Sequence, residues 1–266
     1  MMLIPLILIS CLTSKAIIKE DIGSRNLQVS NAEWKLTWSD DFDYSGLPDP
    51  KKWTYEEGLV RNNEAQYYAS HRLQNSEVKN GELTITANKE EYKGSHYTSA
   101  SITTQDRFAF QYGRAEIYAK LPQARGTWPA FWMLGTDVNQ VSWPACGEVD
   151  VMEHVGFMPP TIYGTGHMQG ADHKLHSQGG TTSLADNGSG WHLYAIEWSK
   201  TKIDFFVDST KYFTYANNEN NWTFDHPFYL ILNLAIGGSW GGQKGIDDVA
   251  FPQKFVIKYV RVYKRI

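Results

Sequence analysis

Cysteine is nearly absent from this chain: 266 residues contain Cys11 and Cys146 and no others. With Cys11 at the very start and a single thiol after it, no disulfide can staple the rest, so stability has to come from a packed core. Clusters of basic residues are missing as well. Lys and Arg total 25 against 29 Asp and Glu, the net charge is −4, and the basic residues are scattered, which gives nucleic acid nothing to hold and excludes it as an expected partner. The apolar run from Met1 to Leu12 is too short to cross a bilayer as a helix. Long helical periodicity is absent between Asn31 and Arg265, which excludes a helical bundle. GGQKG lacks the GK[ST] of a phosphate loop, and from Asp41 the twelfth position is Lys52 where an EF-hand needs Glu.

What is present is a β-rich globular composition: 42 % hydrophobic, 14 % aromatic and 22 glycines, in keeping with one large domain. Period-two stretches recur in GELTITANK, GRAEIYAKL, WHLYAIEWS, KIDFFVDS and KFVIKYVRVYK, separated by Gly- and Pro-bearing turns such as GLPDP and GFMPP. In the last stretch, strict alternation puts Phe255, Ile257, Tyr259, Arg261 and Tyr263 on one face and Val256, Lys258, Val260 and Val262 on the other. Residues 31–266 are therefore expected to form a single domain of two packed antiparallel sheets. Residues 1–16 read as an export signal. Within them LISC resembles a lipoprotein box, so cleavage is expected before Cys11, which would carry lipid as the first mature residue. An ordinary cut after Ala16 is the alternative. Either way the protein is expected outside the cytoplasm, as an outer-membrane or cell-surface lipoprotein or a secreted or periplasmic protein. It is expected to be monomeric and to touch membrane only through that anchor.

GEVDVMEHVG, residues 147–156, places Glu148, Asp150 and Glu153 in a segment that otherwise reads as a buried strand. Burying acids is costly unless a site needs them. Alternation sets Glu148 and Asp150 on one face and Glu153 on the other, and a one-residue bulge between Asp150 and Glu153 would bring all three together. Two glutamates about 13 Å apart at Cα, at ~3.3 Å per strand step, can lean to the ~5–5.5 Å carboxyl separation of retaining glycosidases. One would attack as a carboxylate and the other, kept protonated by its neighbours, would donate; spacing alone leaves open which is which. Two blander readings are a solvated edge strand and a metal site of the three acids with His154 or His167. The apolar Val149, Val151 and Met152 argue against the first, and the lack of a nearby Asn-, Asp- or Gly-rich loop against the second. Cys146 has no base at useful spacing and reads as a packed thiol.

Ten Trp and 15 Tyr accompany the acids. Trp128, Trp143 and Trp240 fall in turn-like stretches, where flat rings can stack on pyranose faces. With NNEAQYY at 62–68, YGRAEIYAKLP at 112–122, GTWPAFWML at 126–134, WPACGEVDVMEHVG at 143–156 and DHPFYLILNLAIGGSWGG at 225–242, the chain resembles the laminarinase-like branch of glycoside hydrolase family 16. The resemblance implies a β-jelly-roll sandwich with an open cleft, and retaining endo-hydrolysis of β-1,3-glucan. It implies Glu148 as nucleophile, Asp150 as its assistant and Glu153 as acid/base. It also implies Asn63 and Glu64 as a polar wall, Arg114 as a contact to sugar hydroxyls, and Trp128, Trp132 and Trp143 as cleft aromatics. His167 would stand beside the catalytic strand, bonding Glu153 or leaving-group hydroxyls, and Trp240 at the cleft rim. Activity on β-1,3-1,4-glucan or on galactans such as agar or porphyran shares this machinery. A non-catalytic β-glucan-binding protein is the alternative of another class, and retention of all three acids argues against it. Relatives with a structural Ca²⁺ carry Asp before the terminal Tyr-Val-Arg-Val-Tyr run; here that position is Lys258, an ammonium where a ligand belongs, so no metal or other cofactor is expected.

Overall fold

The computed structural model describes residues 34–218 and 221–266; residues 1–16, expected as an export signal, and Cys11 lie outside them. The described chain runs through strands β1 (Trp34–Asp40), β2 (Thr54–Glu56), β3 (Gln66–Tyr68), β4 (Ser76–Lys79), β5 (Glu82–Tyr92), β6 (Ser95–Ser99), β7 (Ser101–Thr103), β8 (Gly113–Lys120) and β9 (Thr127–Gly135). A one-turn helix, α1 (Val138–Val141), leads to β10 (Glu148–Glu153), β11 (Thr161–Gln169), β12 (Leu175–Ser183), β13 (His192–Trp198), β14 (Lys202–Val207), β15 (Thr210–Ala216), β16 (Phe228–Ile236) and β17 (Gln253–Arg265). A ten-stranded sheet has the path β15-β14-β13-β8-β17-β5-β6-β3, with β1 on β17 and β4 on β5; a seven-stranded sheet runs β12-β11-β10-β9-β16-β7-β2. Pairing is antiparallel as expected, except that β3 joins β6 in parallel.

The two sheets meet over one hydrophobic core. Strand β16 shows how the smaller sheet is used on both faces, since all nine of its residues are buried. Phe228, Leu230, Leu232, Leu234 and Ile236 point into the shared core, each contributing about 1.5–3 kcal/mol by burial. Tyr229 and Ile231 form a separate cluster on the opposite face with Ala130 and Trp132 of β9. That second face is the floor of the cleft. It is buried because aromatic side chains, not another sheet, cover it.

Strict alternation fails along β17. A register shift between Ile257 and Tyr259 inserts Lys258 as an extra residue opposite β8. Phe255 and Ile257 before it, and Val260 and Val262 after it, therefore all enter the core, while Tyr259, Arg261 and Tyr263 turn outward. The expected grouping of Phe255 with Tyr263 is thus corrected: the bulge exchanges the two faces midway. Lys258 places its Nζ 2.6 Å from Glu82 Oε1 and 5.4 Å from the Trp191 ring centre. An ammonium already paired to the neighbouring carboxylate does not fit a cation at this place.

Candidate active site

Strand β10 lies between β9 and β11, so the reading of its acids as an exposed edge is excluded. Asp150 and Glu153 are three residues apart, but their partners Thr165 and Tyr163 on β11 are two apart; the same slip appears against β9, where Asp150 pairs with Trp132 and Met152 with Phe131. One extra residue is accommodated between Asp150 and Glu153. Val151 and Met152, neighbours in sequence, both enter the core, and Glu153 returns to the face of Glu148 and Asp150. The three carboxyls share a cleft of about 350 Å³ with Arg61, Asn62, Glu64, Trp128, Trp132, Trp143 and Asn233.

The electrostatics follow from this crowding. Burial, reinforced by the charge of Asp150, pushes Glu148 up to about 8. Burial pushes Asp150 up to about 7. Glu153 is raised well above the ordinary carboxyl range, first by burial and next by Asp150; the Trp128 indole, donating to Glu153 Oε1 at 2.9 Å, offsets part of this. Three such groups do not all ionise at neutral pH, and their protons belong to the set. Glu153 holds its proton, and Glu148 and Asp150, side by side, share one between them. Cys146 nearby is fully buried, its thiol pushed up to about 11 by burial, which leaves it an unreactive packing group.

His167 pairs in register with Glu148, at the far end of the strand from Glu153. Its Nδ1 meets Ser177 Oγ at 2.6 Å and its Nε2 lies 3.0 Å from Asp150 Oδ2, so the expected bond to Glu153 is replaced by a contact with Asp150. Donor atoms of Glu148, Asp150 and His167 fall within 4.8 Å of one another, a grouping a divalent cation could use. His154 does not join it: the ring is buried and its Nδ1 donates to Thr161 O at 2.9 Å.

The polar wall is real but shifted by one residue. Asn62 and Asn63 both take left-handed φ, 55° and 52°, a conformation Asn tolerates, and both are exposed; Asn62 lines the cleft and donates to Glu64 Oε1 at 3.2 Å, whereas Asn63 does not line it. Glu64 also accepts from Gln66 Nε2 at 2.7 Å and from Tyr68 Oη at 2.9 Å. Tyr68 in turn accepts from Asn233 Nδ2 at 2.9 Å, and Asn233 Oδ1 takes the Trp132 indole N–H at 2.7 Å. One chain of hydrogen bonds therefore links the cleft acid Glu64 to the orientation of a cleft tryptophan. Replacing Asn233 with Ala strands Trp132 Nε1 and takes from Tyr68 Oη its donor, leaving only its bond to Glu64; we expect a loss of about 1–3 kcal/mol in urea melts and a raised KM, and an unchanged midpoint would contradict this network.

Arg114 is the clearest correction. It lies on β8 of the large sheet, its Nε 2.7 Å from Glu116 Oε2 and its Nη1 3.1 Å from Glu197 Oε1, and only 6 % exposed. That buried ion cluster is on the wrong sheet to meet a ligand in the cleft. The cleft arginine is Arg61, held by Glu56 and stacked 4.9 Å over Trp132. Its place directly before the Asn-Asn turn was the available signal. Trp128, Trp132 and Trp143 line the cleft as expected, Trp143 being 47 % exposed. Trp240 stands behind Trp128, edge-on to it at 5.5 Å and to Tyr163 at 4.8 Å, and so braces the wall.

A β-sandwich with buried paired carboxyls in an aromatic-lined cleft defines a glycoside hydrolase. Residues 63–261 match the glycosyl hydrolases family 16, and the chain belongs to that family. A "Beta-glucanase" of Rhodothermus marinus is 47 % identical over 244 residues, covering 87 % of this chain and 85 % of its own. The X-ray structure of the laminarinase from Rhodothermus marinus superposes with a TM-score of 0.83 at 43 % identity, over 88 % of this chain and 98 % of that one. A non-specific endo-beta-1,3(4)-glucanase of the same family, co-crystallised with 1,3-beta-D-cellotriosyl-glucose, gives a TM-score of 0.82 at 41 % identity, over 88 % and 96 %.

Proposed function

We propose that this enzyme cleaves internal β-1,3-glucosidic bonds of laminarin-type glucans with retention of configuration. The observation that carries the proposal is the bulge in β10, which gathers Glu148, Asp150 and Glu153 on the cleft face. In the first half-reaction a carboxylate oxygen of Glu148 bonds to the anomeric carbon. The bond to the glycosidic oxygen breaks, and that oxygen takes the proton of Glu153. In the second, Glu153, now a carboxylate, takes a proton from water as the water oxygen attacks the same carbon and Glu148 leaves. Glu148 is a carboxylate when it attacks because Asp150, hydrogen-bonded to it, holds the proton the two share, and Asp150 returns that proton when Glu148 leaves. Trp128, donating to Glu153, supports the anion that forms there when the proton leaves.

The similar proteins, a beta-glucanase and a laminarinase, support the substrate. The non-specific endo-beta-1,3(4)-glucanase among the similar structures favours one second reading, activity on mixed-linkage glucan as well. Digestion of laminarin, lichenan and agarose, with products resolved by mass and the first-formed anomer followed by NMR, tests both. Laminarin oligomers released first as the β-anomer are expected; an α-anomer, or turnover of agarose alone, would overturn the proposal. We further propose that the chain acts outside the cytoplasm through a lipid on Cys11, supported by the LISC stretch; an unlipidated mature N-terminus in the membrane fraction would remove the anchor.

A further inference from the structure

The core side of the catalytic bulge is occupied by a phenol from the opposite sheet. Strand β15 carries its own bulge: Phe205 pairs with Phe213 and Phe206 with Lys211, leaving Tyr212 as the extra residue. Its ring crosses the core beside Phe205, with ring centres 6.4 Å apart. Opposite, on β11, Gly164 lies between Tyr163 and Thr165, the partners of Glu153 and Asp150, and so directly across from the bulged residues Val151 and Met152. A Cβ at Gly164 would stand 2.3 Å from Tyr212 Oη. The missing side chain is the seat of the hydroxyl.

That hydroxyl is buried and, among the described residues, makes no hydrogen bond. A buried donor without a partner is costly, and Phe would fill the same space without the cost. The groups that act on it are specific. Asp150 and Glu153 on β10 are the charges that, after burial, push the phenol upward, so their field reaches it through the strand. The groups that touch it, Gly164 of β11 and Phe205 of β14, carry no charge. On its own strand Lys211 is turned outward to Asp204, at 3.5 Å.

We propose that Tyr212 is a positioning residue for the acid/base step, its O–H dipole seated behind the bulge by Gly164 and turned toward the carboxyls of Asp150 and Glu153. The hydroxyl's proton is unshared and can point at whichever carboxyl is ionised. When Glu153 gives up its proton to the glycosidic oxygen, the anion left behind has this dipole at its back. The proposal rests on the acid/base role given to Glu153 above.

Tyr212→Phe tests it, with thermal melts beside kinetics. If the phenol is only a packing group, removing an unpartnered hydroxyl leaves the melting temperature equal or higher and the pH profile of kcat unmoved. If it acts as proposed, the melting temperature is again equal or higher. However, kcat on laminarin falls about five- to tenfold with KM within twofold, and the alkaline limb of the profile moves up by about half a pH unit. An aryl laminarin oligoside with a dinitrophenolate leaving group, which needs little protonation, is expected to lose less than twofold. Unmoved limbs, or equal losses on both substrates, would overturn the inference. Should Glu153→Gln keep full activity on laminarin, the acid/base reading itself fails; should it be inactive while Tyr212→Phe matches wild type, only the role of Tyr212 fails.

Discussion

Glu148→Gln is expected to lower kcat on laminarin by roughly 10⁴-fold or more while leaving KM close to its starting value, because the amide keeps the shape of the side chain but cannot form the covalent intermediate. The stability cost is small or reversed, since the group replaced is a carboxyl held at about 8 by burial and by Asp150. The matching change at Glu153, to Gln, is expected to cost about 10²–10⁴-fold, the usual worth of a general acid, and to be relieved by an activated leaving group. The contrast in leaving-group dependence separates the two roles even where both variants are slow. Glu148→Gln with undiminished turnover would remove it as the attacking residue.

Exchanging Met152 and Glu153 is expected to have the second large effect. Because the bulge turns position 152 to the core and position 153 to the cleft, in Met152→Glu with Glu153→Met the thioether turns to the cleft and the carboxyl enters the core. There it would meet Phe131 and Ile162 with no partner, at an effective cost of several kcal/mol against the ~5–15 kcal/mol total stability of an ordinary domain. A steep fall in melting temperature is expected, together with loss of hydrolysis at temperatures where circular dichroism still reports the sandwich. Retained activity in the folded exchange variant would mean that the bulge does not place the acid.

Both expectations depend on a feature that could be read from sequence in outline. Three acids among Val149, Val151 and Met152 required either two faces or a kink, and burial of a carboxyl opposite a ligand-free core made the kink the cheaper solution. The aromatic residues in turn-like stretches pointed to the cleft for the same local reason, and Trp128 and Trp143 line it. Elsewhere a local rule misled. The alternation in KFVIKYVRVYK continued on paper through Lys258, where the strand bulges against β8. Nothing in the chain near Lys258 marks that slip, because a bulge is set by how two strands fit.

The arginines make the same point. Arg114 sits in a clean period-two stretch and Arg61 in a turn, and only Arg114 is expected at the sugar. Pairing of β8 with β13 and β17 puts Arg114 in the large sheet, where it neutralises Glu116, while the left-handed Asn62 and Asn63 swing Arg61 over Trp132. Alternation, turn-forming residues and buried acids are properties of neighbours along the chain, and so the sequence by itself determined the strands, the carboxyl trio and the kind of chemistry they perform. Which sheet a strand joins, and hence which cation and which phenol reach the trio, is decided by contacts between residues far apart in the chain. Only the folded arrangement brings Tyr212 and Gly164 together beneath the bulge.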